Sequence, residues 1–321
     1  MRLKNFIFFV FLMFFLQSCS VSRLAVKKAG ATLSNQQSTV FTGEDDPELV
    51  RDALPFTMKF YETILEKDSM NAELCLATGK LFCLYAQAFI LFPSDTLPDS
   101  MADQKKAMRK RAKKLLLRGR DYCLRGLDLR HPGFATLLKG KSSDSALALT
   151  DHADTSFLYW CSASWMAAII ADRSDLALGM TIKKAASLML RVAELNDQYD
   201  YGAAHEILCA YRASIPKSLG GSDEKARVHF QKAVTFSSGE KLSPYITCAT
   251  SLSVKNKNRA EFSEMLQKAL SVNIQKRPSL KLQNTIYQQR AKWLLANIDK
   301  FFPVPDNTLS AKEENVNGED K

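Results

Sequence analysis

Strand-like alternation of apolar and polar residues is nearly absent from this chain, which argues against a sheet-based fold. The short signatures of chemistry are missing too. No Gly-x-Ser-x-Gly elbow, phosphate-cradling glycine loop or Cys-x-x-Cys pair occurs. Neither an activated nucleophile nor a convergent carboxylate pair can be placed on one helix face, so no catalytic residue and no cofactor are assigned. Histidine is scarce, at four residues. His205-Glu206-Ile207-Leu208-Cys209 stops one residue short of the zinc-protease helix motif, and with no third ligand beside His205 and Cys209 no metal site is predicted. After the first nineteen residues no segment reads as apolar for long enough to cross a bilayer.

Cysteine is present in sufficient number for disulfides, but its placement argues against them. Seven occur, and Cys75 and Cys83 would stand ~12 Å apart along one helix, beyond bridging distance. Cys123, Cys209 and Cys248 fall at apolar helical positions and read as small buried hydrophobes.

The amino terminus carries the strongest positive signal. Arg2 and Lys4 lead into the unbroken apolar run Phe6–Leu16, which closes on Leu16-Gln17-Ser18-Cys19. Eleven residues rise roughly 16 Å as a helix, about half of a ~30 Å hydrocarbon core, so residues 1–18 read as a signal peptide and not a membrane span. Leu at −3 and Ser at −1 before a cysteine resemble the bacterial lipobox. That resemblance implies cleavage before Cys19 and acylation of Cys19, which would anchor the protein to a membrane. Ser20 at +2 favours the outer membrane over the inner by analogy with enteric sorting. Loss of Arg2 and Lys4 takes the net charge from +10 to +8. Export removes nucleic acid as a partner for that charge and leaves anionic lipid or an acidic protein.

Residues 19–43, rich in Ser, Thr and Gln, read as a lipidated tether with a random-coil reach of roughly 27 Å. Residues 44–303 read as a helical domain, opened by Asp45-Asp46-Pro47. The polar residues 304–321 read as a disordered tail.

Within the helical domain the spacing of small and large residues recurs. Gly119/Cys123/Gly126, Ala186/Leu190/Ala193, Ala226/Phe230/Ala233 and Phe262/Leu266/Ala269 follow the second-helix pattern of a tetratricopeptide (TPR) repeat. Trp160/Ala163/Ser164/Ala167, Tyr201/Ala204/His205/Leu208 and Tyr245/Cys248/Ala249/Leu252 fit the first-helix pattern. The predicted fold is all-α, a TPR-like array of helical hairpins (an α-solenoid) with insertions at Phe92–Gln104 and His131–Asp151.

Candidate ligand residues come from the aromatic concentration mid-chain and from one loop. Tyr159, Trp160, Trp165, Tyr201 and His205 serve either as repeat core or as walls of a cavity for an apolar or amphipathic ligand. Gly220 and Gly221 precede Ser222-Asp223-Glu224, which suit a helix N-cap and its acidic first turn; a ligand role for that loop is the alternative. Lys105–Arg120 holds nine basic residues opposite an apolar stripe, either a solvated face or a surface for anionic lipid or an acidic partner.

The segment from Asp45-Asp46-Pro47-Glu48 through Leu54-Pro55-Phe56 resembles the opening of the TatT proteins. These are TPR-containing lipoprotein components of some TRAP (tripartite ATP-independent periplasmic) transporters. Arg130-His131-Pro132-Gly133-Phe134, Tyr159-Trp160 with Trp165, Tyr201-Gly202, Pro216 leading to Gly220-Gly221, His229-Phe230 and Ser243-Pro244-Tyr245 extend the resemblance to roughly Asp45–Phe302. It implies a periplasmic, non-enzymatic homotrimer that docks the transporter's substrate-binding protein. It also implies a channel-like cavity for hydrophobic or organic-acid ligands. A TPR lipoprotein adaptor that organises envelope assembly or peptidoglycan enzymes is the alternative reading.

Overall fold

The computed structural model describes residues 39–140 and 143–302. The signal peptide, Cys19, most of the tether and the tail 304–321 lie outside the described residues. Every regular element described is helical: α1 (Pro47–Lys67), α2 (Ala72–Ala86), α3 (Ala102–Arg130), α4 (Thr155–Ala171), α5 (Ile182–Leu195), α6 (Tyr199–Ser214), α7 (Asp223–Phe236), α8 (Ser243–Cys248), α9 (Arg259–Ser271) and α10 (Lys281–Ala296), with short turns between them. The chain divides between Asp200 and Tyr201 into two compact units.

Local chemistry sets the helix starts. Asp46 accepts from the amides of Glu48 and Leu49 with Pro47 at the first position, so α1 begins where the acid and proline predict. Asn71 caps α2 through the Leu74 amide, and Ser222 caps α7 through that of Lys225 with Asp223 and Glu224 in the first turn. The predicted insertions are partly helical: Phe92–Thr96 continues α2 beyond a π-turn at Gln87–Leu91, and Phe134–Lys139 and Asp144–Leu147 punctuate the second.

In the first unit α1 packs on α2, α2 on α3, α3 on α4 and α4 on α5, while α2 also meets α4. Helix α4 is buried around nearly its whole circumference, from Phe157 to Ala171, as expected of a helix enclosed by others. Small residues allow this. A Cβ on Gly79 of α2 would lie 2.4 Å from Cys123 Sγ and 2.6 Å from the Gly119 carbonyl oxygen of α3. A Cβ on Gly119 would in turn meet the Gly79 carbonyl at 2.9 Å and Ser164 Oγ of α4 at 3.3 Å. The predicted row Gly119/Cys123/Gly126 is therefore the surface on which two neighbouring helices close.

The uninterrupted stretch Ala72–Thr96 corrects one sequence expectation. It spans 25 residues with a mean hydropathy of 1.6 over its most apolar window, enough by length and composition to cross a bilayer. Yet 61% of that window is buried in the protein, and the stretch is the core helix just described.

The second unit has its own core. Cys209 and Ala213 of α6 pack with Ala226 and Phe230 of α7, Ile246 and Cys248 of α8, Phe262 and Leu266 of α9, and Ala291 and Leu294 of α10. The predicted triads Ala226/Phe230/Ala233 and Phe262/Leu266/Ala269 are fully in place. On α5 the register shifts: Leu190 and Ala193 are only partly buried, and the core row is Ala185, Leu188, Met189 and Val192. Cys75, Cys83, Cys123, Cys161, Cys209 and Cys248 are all buried free thiols. Burial pushes Cys83 up to about 11 and Cys161 to about 12, so the thiolate is suppressed.

The glycine contact makes a direct prediction. Gly79→Ala should lower unfolding stability by about 1–3 kcal/mol, because backbone and not only the Cys123 side chain stands in the way. Gly179→Ala, at a helical glycine whose Cβ would meet nothing within 4 Å, should leave stability unchanged or raise it slightly. Urea unfolding of both variants measures the difference.

Candidate functional site

The aromatic residues singled out in the sequence fall into two groups, one in each unit. In the first unit Tyr159 and Trp160 meet edge to face with centroids 5.0 Å apart, and Tyr199 tilts against Tyr159 at 5.1 Å. Trp165 stands apart from this group: its indole N–H donates to Thr181 Oγ1 at 2.8 Å and Arg120 covers its ring. It is a satisfied core residue.

Two features of the Tyr159–Trp160 group are not satisfied. Trp160 Nε1 is buried and closes no hydrogen bond among the described residues; it influences the Tyr199 hydroxyl but does not reach hydrogen-bonding geometry with it. One helical turn on, Ser164 Oγ sits beside the Cys83 thiol and also closes none. The second feature is Lys80 of α2. Its ammonium lies 5.4 Å from the centre of the Trp160 ring and has no hydrogen bond or ion pair among the described residues. Burial holds its pKa below the usual 10.5, with the more distant Asp200 carboxylate pulling the other way. Tyr199 is pushed up to about 12, chiefly by burial, and stays a neutral phenol.

A partly buried ammonium, a buried indole N–H that faces the Tyr199 hydroxyl without closing a hydrogen bond, and aromatic walls form a cluster rich in donors. Removing polar groups from water without a partner costs free energy, so such a set is rare without a purpose. Its chemistry suits an anion carrying an apolar body. The second unit shows the ordinary alternative: Lys241, buried, lies 2.7 Å from Glu206 Oε1, a close charge contact outside good hydrogen-bond geometry that nonetheless answers its charge.

The remaining candidates lie in the second unit. Tyr201 is covered by the Arg277 guanidinium and its hydroxyl is 3.1 Å from Ser279 Oγ. His205 stacks on His229 with Nδ1 to Nδ1 at 2.8 Å, one ring donating to the other, and Phe236 lies alongside. Among the described residues no group of three metal-ligating side chains forms around them. Gly220 and Gly221 turn the chain into α7. Their amides donate to the carbonyls of Lys217 and Pro216, and Arg212 holds the Gly220 carbonyl at 2.9 Å, which leaves neither amide free for an anion.

Between the two groups the backbone does something no sequence pattern announced. Asp200, Tyr201 and Gly202 are consecutive left-handed residues, with φ of 45°, 59° and 79°. A non-glycine residue in that region costs roughly 1–2 kcal/mol. The turn separates Tyr199, which faces the first unit's aromatics, from Tyr201, which joins Arg277 and Ser279. Strain of this kind persists where the surroundings enforce it and clusters at functional positions.

Comparison with known proteins places the chain. A family described as the TRAP transporter T-component matches residues 43–302. The chain belongs to that family. An uncharacterized protein of Treponema pallidum (strain Nichols) is 33% identical over 300 residues, covering 88% of this chain and 93% of its own length. A T-component is part of a transporter and works with other TRAP parts at the cell envelope. The match spans both units, and so both the Lys80–Trp160 group and the His205–His229 pair fall within the T-component.

The unanswered ammonium yields the second prediction. Free Lys80 should titrate below 10.5, and because the unfolded chain then binds more protons, its contribution to stability should rise with pH up to that value. A bound carboxylate should move the titration back up. Lys80→Met should leave the thermal midpoint unchanged or higher while weakening a medium-chain alkyl carboxylate about 10- to 100-fold, the loss of a ~1.5–3 kcal/mol charge-assisted hydrogen bond. Calorimetry reads both; unchanged affinity would place the anion elsewhere.

Proposed function

We propose that this T-component is a non-enzymatic accessory subunit of a TRAP-type importer, tethered to the periplasmic face of a membrane through acylated Cys19. It docks the periplasmic substrate-binding protein and holds an amphipathic organic acid, with the carboxylate at Lys80 and Trp160 and the apolar body against Tyr159 and Tyr199. The observation that carries the ligand half is the Lys80 ammonium over Trp160, with no ion pair, next to an indole N–H that closes no hydrogen bond among the described residues. Family membership supports the transporter half. Assembly as a homotrimer and placement in the outer membrane belong to the same reading, the first by resemblance to the TatT proteins and the second by Ser20 after the lipidated cysteine.

An aromatic wall beside a lysine would select for anions that bring their own apolar surface. Small hydrophilic anions gain little there, because they lose hydration without covering the aromatic faces.

Purification of the intact lipoprotein from detergent-solubilised membranes tests the docking half. The TRAP substrate-binding protein should be recovered with it at a yield well above that of other periplasmic proteins. Abundant lipoprotein with no transporter subunit attached would overturn this reading in favour of an adaptor without a transport role.

A further inference from the structure

The nine basic residues of Lys105–Arg120 do not act as one patch. Arg109 pairs with Asp95 at 2.9 Å and donates to the Ile170 carbonyl at 2.6 Å. Arg118 pairs with Glu62, and Arg120 with Asp121 at 2.7 Å. Lys113 holds both Asp172 and Asp175, at 2.7 and 2.6 Å, in the loop that follows α4. These contacts serve the fold.

What remains is different. Lys106, Lys110 and Lys114 recur every four residues along one exposed row of α3, with Arg111 beside them, and none has a partner among the described residues. That row adjoins the row of Arg109 and Lys113, which grips the loop after α4. In that loop Lys113 pairs with both acids and draws Asp172 down to about 2, and Arg173 brings the charge of the group to balance. Its outward residues are then Arg173, unpaired among the described residues, and two large apolar side chains, Leu176 at 77% and Met180 at 80% exposure. Asp103, at the start of the helix, and Asp121, held by Arg120, are the acids on the lysine row.

We infer that this basic row and the Leu176–Met180 knuckle together form a face that lies on an anionic lipid surface, with the lysines at the headgroups and the two apolar side chains inserted among them. Exposed apolar groups ringed by cations are the chemistry of interfacial docking, where apolar insertion and attraction to anionic headgroups add. One observation and the proposed anchor favour lipid over an acidic protein. The loop's two acids are both held by Lys113 and, with Arg173, leave it no net negative charge to repel an anionic plane. On the membrane-anchored reading, the stretch from Cys19 to residue 39 can span at most ~70 Å whatever its conformation, which keeps this unit near the bilayer.

The inference rests on the membrane-anchored reading, and the experiment separates the two. The mature lipoprotein carrying Met180→Cys, labelled with an environment-sensitive dye, is reconstituted into phosphatidylcholine vesicles with and without 30% phosphatidylglycerol. The six native thiols are buried and stay unlabelled. In the anionic vesicles the dye should shift to the blue and be quenched at least threefold more by brominated lipid than in the neutral ones. Lys106→Glu/Lys110→Glu/Lys114→Glu should abolish that difference, as should 0.5 M salt on the unmutated row if the triple variant fails to fold. A water-exposed dye in both vesicles, while the protein stays bound through its lipid, overturns the face but not the anchor. Protein that is not retained at all overturns both. Burial of the dye only when the substrate-binding protein is added assigns the face to a protein and also overturns the inference.

Discussion

The close backbone approach of Gly79 and Gly119 in the first unit governs what surrounds it. With no Cβ on either side, α2 settles onto α3 at a separation that larger residues forbid, and Ser164 of α4 completes the crossing. Lys80 follows Gly79 directly, so its place beside Trp160 is a consequence of that approach. The same packing buries Cys83, Cys123 and Cys161 beyond reach of solvent. One geometric economy thus gives the unit its core, silences its thiols and delivers a cation to an aromatic wall.

Several other buried charges among the described residues are answered. Buried Asp154 receives Arg130, His131 and the Asp151 amide; Glu240 receives Lys276 and Arg277; Lys241 meets Glu206. For Asp154 burial raises the pKa, but the three donors outweigh it and hold the carboxylate below its ordinary range. Against that background the bare ammonium of Lys80 stands out as a cost that packing does not require. The left-handed run at Asp200–Gly202 is a second such cost, placed where Tyr199 leaves the aromatic group. Both costs fall on the few side chains from which the proposed ligand site is argued.

Much of the fold was legible because its signals are local. Asp46-Pro47 and Ser222 announced helix starts, and the spacing of Gly119, Cys123 and Gly126 announced a surface for close packing. Burial of the cysteines followed from their apolar helical positions. The site was less legible, and the reason is physical. A lysine among helical residues reads as solvated unless the helix facing it is known, and Trp160 lies eighty residues from Lys80. The His205–His229 stack joins residues 24 apart, and Lys113 finds its two acids about sixty residues on. Tyr201-Gly202 stood out as a motif, but nothing in those letters foretold three left-handed residues in succession.

A crystal structure of the protein grown with a medium-chain alkyl carboxylate tests the central claim most directly. The account predicts a carboxylate in contact with Lys80 Nζ and Trp160 Nε1, its chain lying against Tyr159 and Tyr199. A structure with ligand bound at another place and these two donors still unpaired would contradict it.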